Sequence, residues 1–530
     1  MITGLQFATN GSKKRLSVRN DWQPKVGDKL VHSPRVKLHP LRRVLGIPGL
    51  FSTAYGDVGS SIYYALGLVA LIALGATPVA LGIAGILFVF TALTYAEGTA
   101  MYPEAGGSAS FARHGLSDLM GFVSGWALMF GYIVTISISA YTIPSYLGYF
   151  WEPLKTSPMV HTAAAMGIVF ILMMINVVGV RESSRLNFSL AVLDIGTQIL
   201  IIVLALLILF NPVVFWERIT GYWPSTTNLI FGVAIAAIAF TGLETVSQMA
   251  EETRRPQEKA PRALILMTIV VLVIFAGISV SAFSAMTPAE LGANWATDPV
   301  AGIAHNLSAA IVPGELIKGF SEPAHQVVVA YILEGLRNVL PVLVALLAAT
   351  ILFIATNAGL LGISRLAFSL GRFQLIPAEL SRVHPRFKTP YIAIMVFGLI
   401  SLVLQIPGFF GPGAFANLAG LYAFGSMLSF ALAHLSVLAL RVRKPELPRP
   451  FKLGWNMKIN NRQLPLTAIL GLLGTGVIWV VVVIMQPYSR WVGFGWLFIG
   501  LGIFFLFRRL KRTSTDQSDA LGGGTTGSQQ

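Results

Sequence analysis

The sequence predicts an all-α integral membrane protein with twelve transmembrane helices. Of its 530 residues, 55% are hydrophobic and only 12% are charged, whereas soluble domains carry about 25% charged residues. Apolar segments of about 20 residues, each long enough to cross a bilayer, also recur along most of the chain. Each span is expected to be a helix, because backbone polar groups in lipid must be satisfied within their own segment.

The spans begin at residue 50 and are separated by shorter polar segments. They are expected at Leu50–Leu74, Pro78–Met101, Leu119–Trp151, Met159–Val180, Leu186–Phe210, Leu229–Ala250, Ala263–Met286, Pro341–Leu370, Pro390–Ile406, Ala414–Leu440, Leu464–Met485 and Trp491–Phe507. The external stretch Thr287–Arg337 is longer and mildly polar. It is expected either to fold over the outer mouth as a gate or to serve as a connecting loop.

Basic residues concentrate in every second loop and thereby predict the orientation of the chain. The formal net charge is +15, which in a soluble protein would suggest a nucleic-acid partner. Here the loop after the sixth span, residues 251–262, contains four basic residues, whereas residues 407–413 contain none. By the positive-inside rule, both termini are expected in the cytoplasm of a multi-pass protein of the inner (cell) membrane. The lipid bilayer, rather than nucleic acid, is the expected partner, and the sequence does not predict an oligomeric state.

Composition divides the chain into an arm, a membrane domain and a tail. Residues 1–44 form a basic N-terminal arm, expected in the cytoplasm, that serves as an orientation signal or lies against anionic lipid. Residues 45–510 are expected to form the twelve-helix domain, and residues 511–530 a disordered cytoplasmic tail. Because the chain contains no cysteine, disulfides and thiolate metal sites are excluded. No metal or cofactor is expected.

Two spans carry a carboxylate within a polar, glycine-containing segment. The first span reads STAYGDVGSSIYY and includes Asp57, and the sixth reads AFTGLETVS and includes Glu244. A carboxylate at mid-membrane costs about 2.5–3.5 kcal/mol on insertion scales. Transporters often bind their substrate where helices unwind, because the break frees backbone groups and adds helix-end dipoles. A structural role for each carboxylate at a helix end is the alternative. Three glycines are expected to permit the unwound turns: Gly56, Gly59 and Gly242.

Other polar side chains within the spans are weaker candidates. Asp194 in the fifth span is expected either to shuttle protons or to pair with a neighbouring helix. Glu97 ends the second span, where a structural role is favoured. His434 in the tenth span belongs to the residue type that titrates near neutral pH, yet a lone histidine on an apolar helix is more often simply hydrogen-bonded. Thr135 and Tyr422 offer hydroxyls, although most such groups bond the backbone of their own helix.

Three segments resemble permeases of the amino acid–polyamine–organocation (APC) superfamily. Phe231–Arg262, which contains TGLETVSQMAEETRRPQEKAPR, resembles the sixth-helix signature of these permeases. Ala92–Gly115, ALTYAEGTAMYPEAGGSASFARHG, resembles their second helix and re-entrant loop, and Ala355–Arg372, ATNAGLLGISRLAFSLGR, resembles their eighth helix. The resemblance extends over nearly all of Leu45–Phe507. It implies a LeuT-like fold with two inverted five-helix repeats, at about 45–211 and 225–445, plus two extra helices at about 460–508.

The first helix departs from the pattern of these amino-acid permeases. They commonly carry Gly-Ser-Gly-Ile at the break, and the segment here reads Gly-Ser-Ser-Ile from Gly59. Asp57, just before it, should repel a substrate carboxylate and attract an amine or a cation. Asp57-x-x-Ser60-Ser61-x-x-Tyr64 is similar instead to the first helix of KimA-type potassium importers. Those importers carry an acidic residue where this chain has Gly131, and their large soluble C-terminal domain has no counterpart here.

The resemblance implies a secondary active, proton-coupled transporter that works by alternating access, and not an enzyme. An amino acid or related amine is the favoured substrate, with potassium–proton symport as the alternative. A membrane-embedded enzyme, a non-transporting sensor and a channel are the other classes, and no metalloprotease or serine-hydrolase motif is present. Some proton-coupled members of the superfamily carry a fifth-helix lysine that stands in for sodium, and Asp194 aligns near that position. Sodium coupling therefore also stays open. The proton-coupling candidates are Asp57, Glu244 and Asp194. The candidate substrate or cation ligands are Asp57, Gly59, Ser60, Ser61, Tyr64, Thr135, Thr241, Glu244 and Tyr422.

Overall fold

The computed structural model describes residues 43–179, 184–311, 323–411, 413–459 and 462–522. Nearly all of these residues are helical. The predicted N-terminal arm lies outside the described residues except for its last two positions, and residues 523–530 of the predicted tail lie outside them as well. Two 3₁₀ turns matter for the site, Gly59–Ser61 and Ala237–Phe240.

The helices are labelled in chain order. The first half contains α1 (Ile47–Val58), α2 (Ile62–Ala73), α3 (Thr77–Met101), α4 (Ser108–Gly115), α5 (Asp118–Leu147), α6 (Pro153–Thr156), α7 (Pro158–Val178), α8 (Ser184–Ile208) and α9 (Pro212–Gly221). The second half contains α10 (Thr226–Ala236), α11 (Thr245–Gln248), α12 (Pro256–Ala285), α13 (Pro288–Asn294), α14 (Pro299–Ala310), α15 (Pro323–Arg372), α16 (Tyr391–Gln405), α17 (Gly413–Arg443), α18 (Leu466–Met485) and α19 (Pro487–Gly522).

Eleven segments of the described chain are long and apolar enough to cross a membrane. The first of them, Ile47–Met101, covers 55 residues. A straight helix of that length would extend over about 80 Å, more than twice the apolar thickness of a bilayer. It contains the first two predicted spans and is broken at Leu74, where φ is +45°. The all-α integral membrane fold is therefore confirmed, whereas the number of twelve transmembrane helices stays a prediction.

The stretch Thr287–Arg337 differs from the open loop that was one expectation, because most of its described part is helical. It contains α13, α14 and the beginning of α15, which starts at Pro323 rather than at the predicted Pro341. The cause is local: Thr287 caps α13 by accepting the amide of Glu290 at 3.2 Å, and a proline opens each of the three helices. Proline at the first helical position has its φ already set for a helix.

The C-terminal part of the domain shows two further differences from the predicted boundaries. Helix α19 continues to Gly522, past residue 510 where the disordered tail was expected to begin. Residues 511–522 contain no proline that would end a helix. A β-hairpin that the sequence analysis did not predict, β1 (Asn456–Ile459) with β2 (Arg462–Pro465), pairs antiparallel just before α18. It moves the start of the eleventh span from Leu464 to Leu466.

Glu97 fastens the end of α3 to α17 by a buried ion pair. Its carboxylate accepts two hydrogen bonds from Arg441, at 2.7 and 2.5 Å, and a third from the backbone amide of Leu453 at 2.8 Å. Both charged side chains are buried. Since removing one partner of a buried pair leaves an uncompensated charge, Glu97 acts here as a structural group.

His434 lies in a polar contact between α17 and α3. Its two ring nitrogens are within hydrogen-bond distance of the hydroxyls of Thr91, at 3.2 Å, and Thr94, at 2.8 Å. The ring also packs against Gly471 of α18, where a Cβ atom would lie 2.2 Å from its Cε1. These contacts hold three helices together.

Candidate functional site

The sixth predicted span is interrupted at its centre. Helix α10 tightens into a 3₁₀ turn, the chain becomes extended at Thr241, and Gly242 follows with φ +109° before α11 begins. A Cβ atom on Gly242 would lie 2.8 Å from Cγ of Asp57 and 3.0 Å from the amide nitrogen of Val58. Glycine is required both by this φ and by the close approach of the first span.

The first span differs from the predicted unwound turn at Gly56 and Gly59. Gly56 lies within α1, and Gly59 has helical dihedrals of −64° and −30° at the start of a single 3₁₀ turn. The helix is tightened rather than opened, because the hydroxyl of Ser60 donates to the carbonyl of Asp57 at 2.9 Å. The ring of Tyr55 also covers Gly59, where a Cβ atom would come within 2.7 Å of it. The predicted role of Gly56 and Gly59 in unwinding is therefore wrong for this conformation.

Asp57 connects the first and sixth spans through one of its carboxylate oxygens. Thr245 donates its hydroxyl to Oδ2 of Asp57 at 2.6 Å. The other oxygen, Oδ1, is buried and has no hydrogen-bond partner in the part of the chain that the structure describes. The side chain is only 2% exposed, so an acceptor facing the interior is left for a ligand or a proton.

Glu244 approaches the same point from the sixth span. Its Oε2 accepts the amide of Gly242 at 3.0 Å, and the residue is only 2% exposed. Asp57 and Glu244 are close enough for their charges to repel each other. Within the described residues, neither carboxylate forms an ion pair with a lysine or arginine. Both acidic groups thus lie against Gly242, and no basic side chain among the described residues neutralises them.

The predicted hydroxyl ligands surround the two carboxylates, but several are already engaged. Tyr422 of α17 lies near Thr135, Tyr64 and both carboxylates. The oxygens of Ser61 and Tyr64 are 3.0 Å apart and form a hydrogen bond. Thr135 donates to the carbonyl of Gly131 at 3.0 Å, and Thr241 donates to the carbonyl of Ile238 at 2.8 Å. These threonines keep oxygen lone pairs for a cation, but they have no hydrogen left to donate.

Sequence reasoning missed two residues of the site, Thr245 and Tyr132. Thr245 directly follows Glu244 in the interrupted segment, and this position was the signal that could have revealed it. The phenol of Tyr132, on α5, lies near Asp57 and Glu244 and is buried without a hydrogen-bond partner among the described residues. Nothing in the apolar sequence around Tyr132 distinguishes it from a packing residue.

Asp194 of α8 binds α1 and α2 on both sides of the 3₁₀ turn. Its Oδ1 accepts the hydroxyl of Tyr63 at 2.6 Å, and its Oδ2 accepts the hydroxyl of Tyr55 at 2.9 Å and the amide of Gln198 at 2.7 Å. All four side chains are buried. Three donors suit an ionised carboxylate, and a proton on Asp194 would require this arrangement to change.

Comparison with known proteins identifies the family. The family model described as amino acid permease matches residues 45–506. This chain belongs to the amino acid permease family, within the APC superfamily. As a member it is a multi-pass membrane transporter, and its all-α fold agrees with the LeuT-like fold of the superfamily. The similarity of its first helix to KimA-type importers stays a prediction.

Three curated relatives match this permease over most of their length. The branched-chain amino acid permease BcaP of Bacillus subtilis is 27% identical over 88% of this chain and 94% of its own. The methylthioribose transporter of the same organism is 25% identical over 90% and 96%. Its glutamate/serine transporter AimA is 24% identical over 92% and 90%. The alignments thus extend over most of this chain, while the substrates for which the relatives are named differ.

Proposed function

We propose that this permease is a proton-coupled symporter that imports an amino acid or a related amine by alternating access. The observation that carries the proposal is the pair of buried carboxylates, Asp57 and Glu244, which both lie against Gly242 with no basic partner among the described residues. Two like charges in a low-dielectric interior repel strongly. A proton on one carboxylate, or a bound cationic group, relieves that repulsion.

The substrate follows from the same charge. An ammonium group, which offers donors only, can donate to the free Oδ1 of Asp57 and to the phenol oxygens of Tyr132 and Tyr422. A substrate carboxylate is repelled by Asp57 and is expected to lie away from it. Two of the relatives are named for amino acids, which supports this substrate class.

The coupling ion is proposed to be the proton. Asp57, Glu244 and Asp194 are the groups that could carry it, and each is buried. Protonation of Asp194 would turn one accepting oxygen into a donor and so weaken its grip on Tyr55 or Tyr63. That change would release the first span from α8, which is the kind of helix movement that alternating access requires. In this proposal the basic loops lie on the cytoplasmic side of the inner membrane, as the positive-inside rule predicts.

The test is uptake by purified protein in liposomes. We expect labelled amino acids or amines to accumulate when the lumen is alkaline, and accumulation to collapse when an ionophore removes the pH gradient. Accumulation driven by sodium alone would contradict proton coupling. Uptake of potassium (or its rubidium analogue) without any amine substrate would favour the potassium–proton alternative. Flux that does not saturate would indicate a channel, and no flux of any solute would leave a sensor.

A further inference from the structure

On the face opposite the basic loops, an ion pair joins two segments that are far apart in sequence. Nζ of Lys155, in α6, lies 2.6 Å from Oδ2 of Asp298, just before α14. The same ammonium lies 4.1 Å from the ring centre of Trp295. The Asp298 side chain is 3% exposed and the Lys155 side chain 33%. The carboxylate of Asp298 is therefore shielded from solvent, whereas solvent can reach the ammonium of Lys155.

The segment that carries Asp298 covers the outer half of the first span. A Cβ atom at Gly67 of α2 would lie 2.4 Å from the carbonyl oxygen of Ala296. A Cβ atom at Gly292 of α13 would lie 2.7 Å from Cα of Leu71. Backbone meets backbone at both places, so α13 and α14 seal this side of α2 without intervening side chains. An outer route to the carboxylates must displace this cover.

Tyr146 connects the ion pair to Asp194. It lies at the end of α5 near Asp298, and its hydroxyl donates to the backbone carbonyl of Tyr63 at 2.7 Å. The two tyrosine rings also meet edge to face, with centres 5.6 Å apart. The hydroxyl of Tyr63 in turn donates to Asp194 at 2.6 Å. Hydrogen bonds thus connect Tyr146 through Tyr63 to the intramembrane carboxylate of Asp194, and Tyr146 lies near the acidic member of the outer ion pair.

We propose that Lys155, Asp298 and Tyr146 form an outer latch: closed, it holds α13 and α14 over the first span and positions Tyr63 on Asp194. Opening the latch frees the cover and loosens Tyr63 in the same movement, so access from outside and the proton site change together. Elements that pack in two discrete arrangements carry this kind of coupling. The inference rests on the proposed symport, and its residues are positioning residues that touch no substrate.

The burial of Asp298 explains why the ion pair with Lys155 would stay formed until α13 and α14 move. Breaking a shielded ion pair leaves a charge without compensation, which costs more than loss of an exposed pair. Burial raises the pKa of Asp298 to about 6, against the opposing effect of Lys155. The charge on Asp298 therefore depends on the attraction of Lys155 to offset its burial.

Crosslinking tests the latch directly, because the natural chain contains no cysteine. We replace Lys155→Cys and Asp298→Cys together and join the thiols with a short, reducible bis-methanethiosulfonate linker. Linked protein is expected to lose more than nine-tenths of its uptake in proteoliposomes and to regain the uptake of the unlinked variant after reduction. Glu152→Cys with Thr156→Cys is the matched control, since both positions lie on one short segment and the link joins nothing across the cover.

Two outcomes would overturn the latch: unchanged uptake when mass spectrometry shows the 155–298 link to be complete, or failure of these thiols to link while the control pair does. In either case uptake by the unmodified protein still tests the proposed symport separately. Tyr146→Phe removes only the hydrogen bond to Tyr63 and is expected to shift the pH profile of uptake. Lys155→Gln leaves the carboxylate of Asp298 without its partner, and its uptake is expected to be lower than that of Lys155→Arg, which keeps the pair. A Tyr146→Phe profile that overlays the wild-type profile would contradict the link to Asp194.

Discussion

The hydroxyl of Thr245 donates a 2.6 Å hydrogen bond to Oδ2 of Asp57 and thereby joins the sixth span to the first. This contact aims the second oxygen, Oδ1, at a position without a protein partner among the described residues. A carboxylate with one oxygen fixed and one free is pre-organised for a ligand, since its orientation is set before binding.

Thr245→Val should weaken substrate binding and lower stability, because it leaves both oxygens of Asp57 without a donor. A buried acceptor deprived of its partner costs about 1–3 kcal/mol. Thr245→Ser keeps the hydroxyl and should retain most of the affinity. Thermal unfolding with and without substrate measures both effects. Equal ligand-induced stabilisation of the valine and serine variants would show that the hydrogen bond does not orient Asp57.

Gly242→Ala should impair folding or transport more than an alanine substitution of a glycine that lies within a helix and has no close neighbour. The new methyl group would meet Asp57 at 2.8 Å in a backbone conformation with φ +109°, and such incompatible substitutions destabilise by more than about 1 kcal/mol. Gly167→Ala in α7 is the matched control, since its Cβ would have no neighbour within 4 Å. Its melting temperature should stay equal or rise slightly. A Gly242→Ala protein with wild-type stability and uptake would contradict the close approach of the two spans.

Asp194→Asn should uncouple transport from the proton while leaving substrate exchange intact. Asparagine keeps the size of the side chain but cannot take up a proton, and its amide nitrogen cannot accept from a tyrosine. We expect counterflow of labelled substrate to persist and pH-driven accumulation to fall at least about tenfold, a change of about 1.4 kcal/mol. Tyr63→Phe should show the same loss in milder form. Retained accumulation in Asp194→Asn would assign the coupling proton to Asp57 or Glu244 instead.

The stability difference between the wild type and Asp298→Asn should depend on pH. Burial raises the pKa of Asp298 from 3.8 to about 6, so between these values the folded protein binds more protons than the unfolded one. The stability contributed by this group therefore falls as the pH rises from about 4 to about 6, by at most about 3 kcal/mol. Melting temperatures of the two proteins across this range measure the effect. Asp118→Asn, which removes a carboxylate whose side chain is 45% exposed, is the control. Parallel curves for the wild type and Asp298→Asn would be the contrary result.

The sequence was sufficient to predict the helical membrane fold and the family. Long apolar runs report burial in lipid directly, and the segments around Ala92, Phe231 and Ala355 carry the family pattern. The interruption at Gly242 was also predictable, because a carboxylate and a glycine share one apolar span. The helices α13 and α14 could also have been predicted, because a proline opens each of them and Thr287 is a typical N-cap residue.

Other features depend on contacts between distant segments and could not be predicted. Gly59 and Ser60 suggested an unwound turn. The chain instead stays helical there, because the hydroxyl of Ser60 forms a hydrogen bond with a backbone carbonyl and the ring of Tyr55 packs against Gly59. Tyr132 gained its place only through the folded arrangement of α5 against the first span. The two tyrosines that bind Asp194 are eight positions apart, one on each side of the 3₁₀ turn. They reach the same carboxylate only because α8 packs against this part of the first span.

The central claim is that Asp57 must carry charge inside the bundle for coupled transport. The most direct measurement compares pH-gradient-driven uptake by the wild type, Asp57→Asn and the control Asp118→Asn, reconstituted at equal protein density. We predict accumulation by the wild type and the control, and at least about a tenfold loss in Asp57→Asn, which keeps the shape of the side chain but not its charge. Undiminished, gradient-driven uptake by Asp57→Asn would contradict the account.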